Sequence, residues 1–150
     1  MFFSWYTIYR TTPNEVKMTE EEKYEYWLDI AEYDLETAKA MFGGGRWLYV
    51  VFMCQQAIEK LVKGLYILYV DDDVPRLHNT KTIFKRFEDK LPLNTYEEKY
   101  DFFDTLTAYY LNNRYPEYVS KLSLTVGKDV AAKILAQTEE EFKWLLTLHP

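Results

Sequence analysis

Gln56, Glu59, Lys60 and Lys63 fall three and four positions apart, so on an α-helix they stack along one face over two turns. An amide, a carboxylate and two ammonium groups side by side could form the polar wall of a groove between helices and hold a ligand there. The plainer reading is a solvated helix face, with Glu59 and Lys63 paired in the favourable i, i+4 order for about 0.2–0.5 kcal/mol. Asp34 is the second oddity, since it interrupts the apolar set Ile30, Ala31 and Ala38. A carboxylate there must be paired or sit at the edge of a cleft, because burying it alone is costly. His78 stands in Pro75-Arg76-Leu77-His78-Asn79-Thr80, just ahead of a helix start. There an imidazole serves more often as a local hydrogen-bonding device than as a catalyst. In Arg114-Tyr115-Pro116 the proline restricts Tyr115, which holds Arg114 on a stiffened turn beyond a helix end. A fixed guanidinium suits a phosphate or a carboxylate, and the plainer alternative is a salt bridge to Asp34 or Glu59.

Other chemistries find little support. Gly43-Gly44-Gly45 follows no strand, so it is not a phosphate loop of the Walker or dinucleotide type. No Ser or Cys stands in a recognisable nucleophile setting, and Cys54 reads as inert core. One Cys and two His argue against a disulfide framework, a zinc site and a His-based metal centre, so neither metal nor cofactor is expected. The same cysteine usage suggests a reducing cytoplasm. A net charge of −6 argues against broad coating of nucleic acid and leaves room only for local basic spots.

The elements that must position these residues are helices. Thr19-Glu20-Glu21-Glu22 is a capping box, and Trp27, Ile30, Ala31, Leu35, Ala38 and Phe42 recur behind it at helical spacing. The three glycines end this helix and suit a tight reversal. A second helix spans about Arg46 to Tyr69. Its first half is apolar all round, and its second half opposes the face of Ala57, Ile58, Leu61, Val62 and Leu65 to the polar stripe. A third helix is expected from Asn79 or Thr80 to about Lys90, and a fourth from Tyr96 to about Asn112, capped by Thr95. The pattern leaves the stretch to Gly127 open. Asp129 is expected to cap the last helix, which buries Val130, Ile134, Leu135, Phe142, Leu145 and Leu146. The fold class is therefore all-α, an up-and-down antiparallel helical bundle of four to five helices. Residues 18–150 form one domain, and residues 1–17 read as an N-terminal extension of open structure, without the marks of a signal peptide. Trp47 to Val70 is long enough to span a bilayer, but Gln55, Gln56, Glu59, Lys60 and Lys63 interrupt it, so no membrane is expected.

At this point the order of motifs resembles a family. An early helix with Ala31, Asp34 and Ala38 precedes Gln55-Gln56-Ala57-Ile58-Glu59-Lys60-Leu61-Val62-Lys63-Gly64, then a His before a helix, then Arg-Tyr-Pro. Together these resemble the HEPN domains (higher eukaryotes and prokaryotes nucleotide-binding) over about Glu20 to Leu146. The resemblance implies a bundle that dimerises. Many members pair with small nucleotidyltransferases in prokaryotic toxin–antitoxin-like systems. Others are metal-independent endoribonucleases that use an Arg and a His about five residues later, facing their counterparts across the dimer. Here Arg114 is followed by Tyr115, Pro116, Glu117, Tyr118, Val119, Ser120 and Lys121, with no His until His149. A second departure is Thr80, where the family usually has Leu.

The expectation is a nucleotide- or RNA-binding module without the ribonuclease motif, forming a homodimer and working beside a nucleotidyltransferase. Lys60, Lys63 and Arg114 would contact phosphate, while Asp34, Gln56, Glu59, His78 and Tyr115 complete the site. One alternative is a metal-independent endoribonuclease with a degenerate site, in which His78 moves the proton. The other is a structural interaction bundle whose stripe forms internal salt bridges.

Overall fold

The Thr19 side-chain oxygen accepts the backbone N–H of Glu22 at 3.1 Å and starts α1, Glu20–Gly43. Three glutamates in its first turn complement the positive end of the helix. In this computed structural model the described residues are 17–92, 96–110 and 116–150, less the side chains of Pro116, Tyr118, Val119 and Leu122. Gly44 closes α1 by donating to the carbonyls of Ala40 and Phe42, and Gly45 adopts φ +70°, a left-handed conformation that glycine accepts without strain. The chain reverses there into α2, Trp47–Tyr69. After it come α3 (Thr80–Lys85), a single 3₁₀ turn (Glu88–Lys90), α4 (Glu97–Thr107), α5 (Pro116–Thr125) and α6 (Lys128–Leu146). The described residues contain no strand, and the all-α bundle read from the sequence is the fold found.

α2 is the axis of the bundle and packs against each of the other five α-helices. Its burial reverses the order that the hydrophobic pattern predicts. The apolar first half leaves Tyr49 half exposed, whereas every residue from Cys54 to Ile67, the polar stripe included, is buried. Gly64 explains how α1 comes so close: a Cβ there would stand 3.1 Å from the Trp27 Cβ and 3.2 Å from the Tyr24 ring. Close approach of the two backbones is what brings Asp34 of α1 within reach of α2.

Several boundaries differ from expectation for local reasons. α3 stops at Lys85, because the amides of Arg86 and Phe87 bond to carbonyls three residues back and tighten the chain into 3₁₀ geometry. This turns Phe87 inward beside Phe84, and both rings are fully buried. α4 ends at Thr107 in the same manner, with Tyr109 and Tyr110 bonded to Leu106 and Thr107. The Thr95 cap lies outside the described residues. Pro116 reads as a breaker but instead opens α5, where its missing N–H is no loss. Gly127 occupies the position before α6, so Asp129 is a first-turn residue and not the cap. Ile134, Phe142 and Leu145 of α6 are buried as expected, with Ala131 and Thr138 beside them, while Val130, Leu135 and Leu146 pack at the core edge.

Candidate functional site

Two ion pairs form the interior of the site. Asp34 of α1 accepts from the Lys60 ammonium across the helix interface, with both side chains buried. One turn away on α2, Glu59 lies 3.3 Å from the Lys63 ammonium, and Lys63 retains only 1% of its surface. Gln55 Nε2 donates to Glu59 Oε1 at 3.0 Å, and Gln56 Nε2 donates to Gln55 Oε1 at 2.6 Å. Glu59 is thus the acceptor on which an amide, an ammonium and an imidazole converge. A solvated face is excluded for Gln56, Glu59, Lys60 and Lys63.

The electrostatics of the two carboxylates differ in sign. Burial pushes Glu59 up, but hydrogen bonds from His78 and Gln55 and the charges of Lys63 and His78 outweigh it, so its carboxyl ends below the usual range. Asp34 goes the other way. Burial and the nearby Glu59 charge exceed the pull of Lys60, and its carboxyl lies above its usual value. Burial also pushes the Cys54 thiol up to about 12, which fits an inert core residue.

His78 is where this interior meets the surface. Its Nδ1 lies 3.1 and 3.3 Å from the two Glu59 oxygens, while its side chain keeps 46% of its area exposed. An ionised carboxylate only accepts, so Nδ1 carries the proton. Just past α4, the Tyr110 ring stacks on the imidazole with centroids 4.1 Å apart and planes 15° from parallel. Phe52 backs Tyr110 at 6.2 Å. Among the described residues, no group of three or more His, Cys, Asp or Glu is placed to hold a metal.

The structure therefore brings together Asp34, Gln56, Glu59, Lys60, Lys63 and His78 of the site expected from the sequence. Arg114 and Tyr115 lie outside the described residues. Each lysine ammonium rests against a carboxylate, a placement the phosphate-contact expectation does not include. Two participants were not among the expected site residues. Gln55 sits in the motif itself, and its i, i+4 spacing to Glu59 was the available signal. Tyr110 carried none, since at helical spacing it reads as one more apolar residue of α4. Among the described residues, no helix is long and apolar enough to cross a membrane.

Comparison with known proteins comes out one way. The family model described as the HEPN domain matches residues 24–148. Similar solved structures include a Thermus thermophilus protein, with a TM-score of 0.70 at 20% identity over 83% of this chain and 97% of that one. Another is an archaeal HEPN homologue, with a TM-score of 0.62 at 22% identity over 85% of this chain and 98% of that one. A comparison with curated proteins finds no match.

Proposed function

This chain belongs to the HEPN domain family, and from that premise we propose that it is a nucleotide- or RNA-binding module whose ligand site opens at His78. The observation that carries the reading is the half-exposed imidazole anchored from behind by a fully buried, hydrogen-bonded Glu59. A surface side chain needs no such foundation unless its orientation matters. Asp34 with Lys60 ties α2 to α1 under the site, while Lys63, Gln55 and Gln56 support Glu59 from within α2. Arg114 and Tyr115, a few residues after Tyr110 in the chain, are the phosphate-binding part of the proposal. The missing His between Arg114 and His149 supports binding without ribonuclease activity.

The working unit is a homodimer, acting beside a small nucleotidyltransferase in a toxin–antitoxin-like system of a prokaryotic cytoplasm. Light scattering is expected to give twice the 18.1 kDa of the chain. Isothermal titration with ATP, GTP and a short RNA tests the binding. Saturable heat that Arg114→Ala removes and His78→Ala weakens is expected; no binding, or binding indifferent to Arg114→Ala, overturns the proposal.

One observation favours a second reading, a purely structural bundle: both lysines are already paired with carboxylates. In that case His78→Ala would lower stability with no ligand to lose. A third outcome, metal-independent RNA cleavage abolished by His78→Ala or Arg114→Ala, would make the protein an endoribonuclease instead.

A further inference from the structure

The hydrogen-bond polarity of His78 is set by its partners, and it has a consequence at the surface. Glu59 occupies Nδ1 and forces the proton onto that nitrogen, so in the neutral ring Nε2 carries a lone pair and no hydrogen. The Tyr110 hydroxyl oxygen lies 3.0 Å from Nε2. With the two rings 15° from parallel and 4.1 Å apart, that hydroxyl sits over the imidazole face, whereas the Nε2 lone pair lies in the ring plane. A hydroxyl above the ring is poorly aligned to use an in-plane lone pair. The imidazole therefore offers an oriented acceptor on a side chain with 46% of its area exposed.

We propose that His78 Nε2 is a specificity-determining acceptor that reads the ribose hydroxyls of a nucleotide, with Glu59 as the positioning residue that fixes its tautomer. This rests on the nucleotide-binding reading given above. The ligand group that fits is a hydroxyl donor. Nε2 and the Tyr110 oxygen are 3.0 Å apart, about the spacing of the two hydroxyls of a ribose cis-diol, and a tyrosine hydroxyl can both donate and accept. One ribose hydroxyl donates to Nε2 while its neighbour meets Tyr110. A deoxyribose supplies one partner fewer, so the site distinguishes ribonucleotides from deoxyribonucleotides.

Two measurements on the full chain test this. Long-range proton–nitrogen NMR of the imidazoles, on the alkaline side of neutrality, is expected to show His78 protonated at Nδ1 and bare at Nε2. Glu59→Gln is expected to reverse this, because a glutamine amide can donate to Nδ1. An Nε2–H tautomer in the unmutated protein would overturn the proposal whether or not any variant folds. Titrations with ATP, 2′-deoxy-ATP and 3′-deoxy-ATP give the second result. Each deoxy ligand should bind about three- to tenfold more weakly, the worth of one hydrogen bond. His78→Ala should bring one of those ratios to unity, that of the hydroxyl read by Nε2, and leave the other, which depends on Tyr110. Two unchanged ratios would overturn the proposal. Equal binding of all three ligands sinks this inference alone, leaving the binding module standing. Binding of none sinks both.

Discussion

A buried charge and an exposed one of the same type contribute very differently here, and Lys63 and Lys39 make the comparison. Lys63 has 1% of its side chain exposed and meets Glu59 at 3.3 Å, and Lys39 has 43% exposed and meets Glu36 at 3.1 Å. Distance alone would rank the surface pair first. Environment reverses the order, because water and salt weaken the exposed pair, while removing one buried partner leaves the other charge in a poor solvent. Lys63→Ala is expected to lower the unfolding free energy by about 3–5 kcal/mol. Lys39→Ala should change it by less than about 1 kcal/mol. Urea titrations of the two variants decide it, and similar losses would refute the burial argument. At this scale Asp34 was legible in the sequence, because a carboxylate among Ile30, Ala31 and Ala38 demands an explanation. Its partner was not, since the choice of Lys60 depends on the register between two helices.

Register belongs to the helices themselves, and Gly64 sets it. The Cβ of any larger residue would press on the Trp27 Cβ, which is fixed to the α1 backbone and cannot swing aside. Gly64→Val should therefore cost about 1–3 kcal/mol by overpacking, and more if α1 is pushed far enough to part Asp34 from Lys60. Thermal unfolding checks the loss. A variant as stable as the parent would mean that the helix interface yields easily. The same interface explains what the sequence concealed about α2. Helical periodicity separates two faces, but it cannot say whether the polar one is covered. Here α1, the segment carrying His78 and the later helices enclose it, so a stripe resembling a solvated surface became the interior of a site. α5 stayed hidden for a different reason: Pro116 reads as a breaker when it follows Arg114-Tyr115, although a proline is equally at home in the first turn of a helix. The helices with both a start signal and a continuous apolar face, α1 above all, were legible almost to the residue.

For the whole molecule, the two buried carboxylates tie stability to pH in opposite senses. Glu59 has a folded pKa below its usual value. Its contribution is complete above the unfolded value of about 4.3 and is lost as pH falls through the folded one. Asp34 has a folded pKa above its usual value. Its contribution is present below the unfolded value of about 3.9 and is lost as pH rises through the folded one. His149, held up by its hydrogen bond to Glu21, also loses its contribution as pH rises, but from about 6.5 upward and on a partly exposed side chain, so its effect is small. Neutral isosteres separate the two carboxylates. Relative to the parent, Glu59→Gln should be least stable near neutrality and recover as pH falls below about 4.3, where Glu59 of the parent's unfolded chain takes up a proton that the folded one still resists. Relative to the parent, Asp34→Asn should do the reverse, faring better as pH rises from about 3.9 toward neutrality even though it gives up the ion pair with Lys60. Unfolding free energies from urea titrations at a series of pH values give both difference curves. Slopes of the same sign would mean that Lys60 compensates Asp34 as fully as His78 and Lys63 compensate Glu59. The division of the site into a reluctant carboxylate on α1 and a well-supported one beneath His78 would then fail.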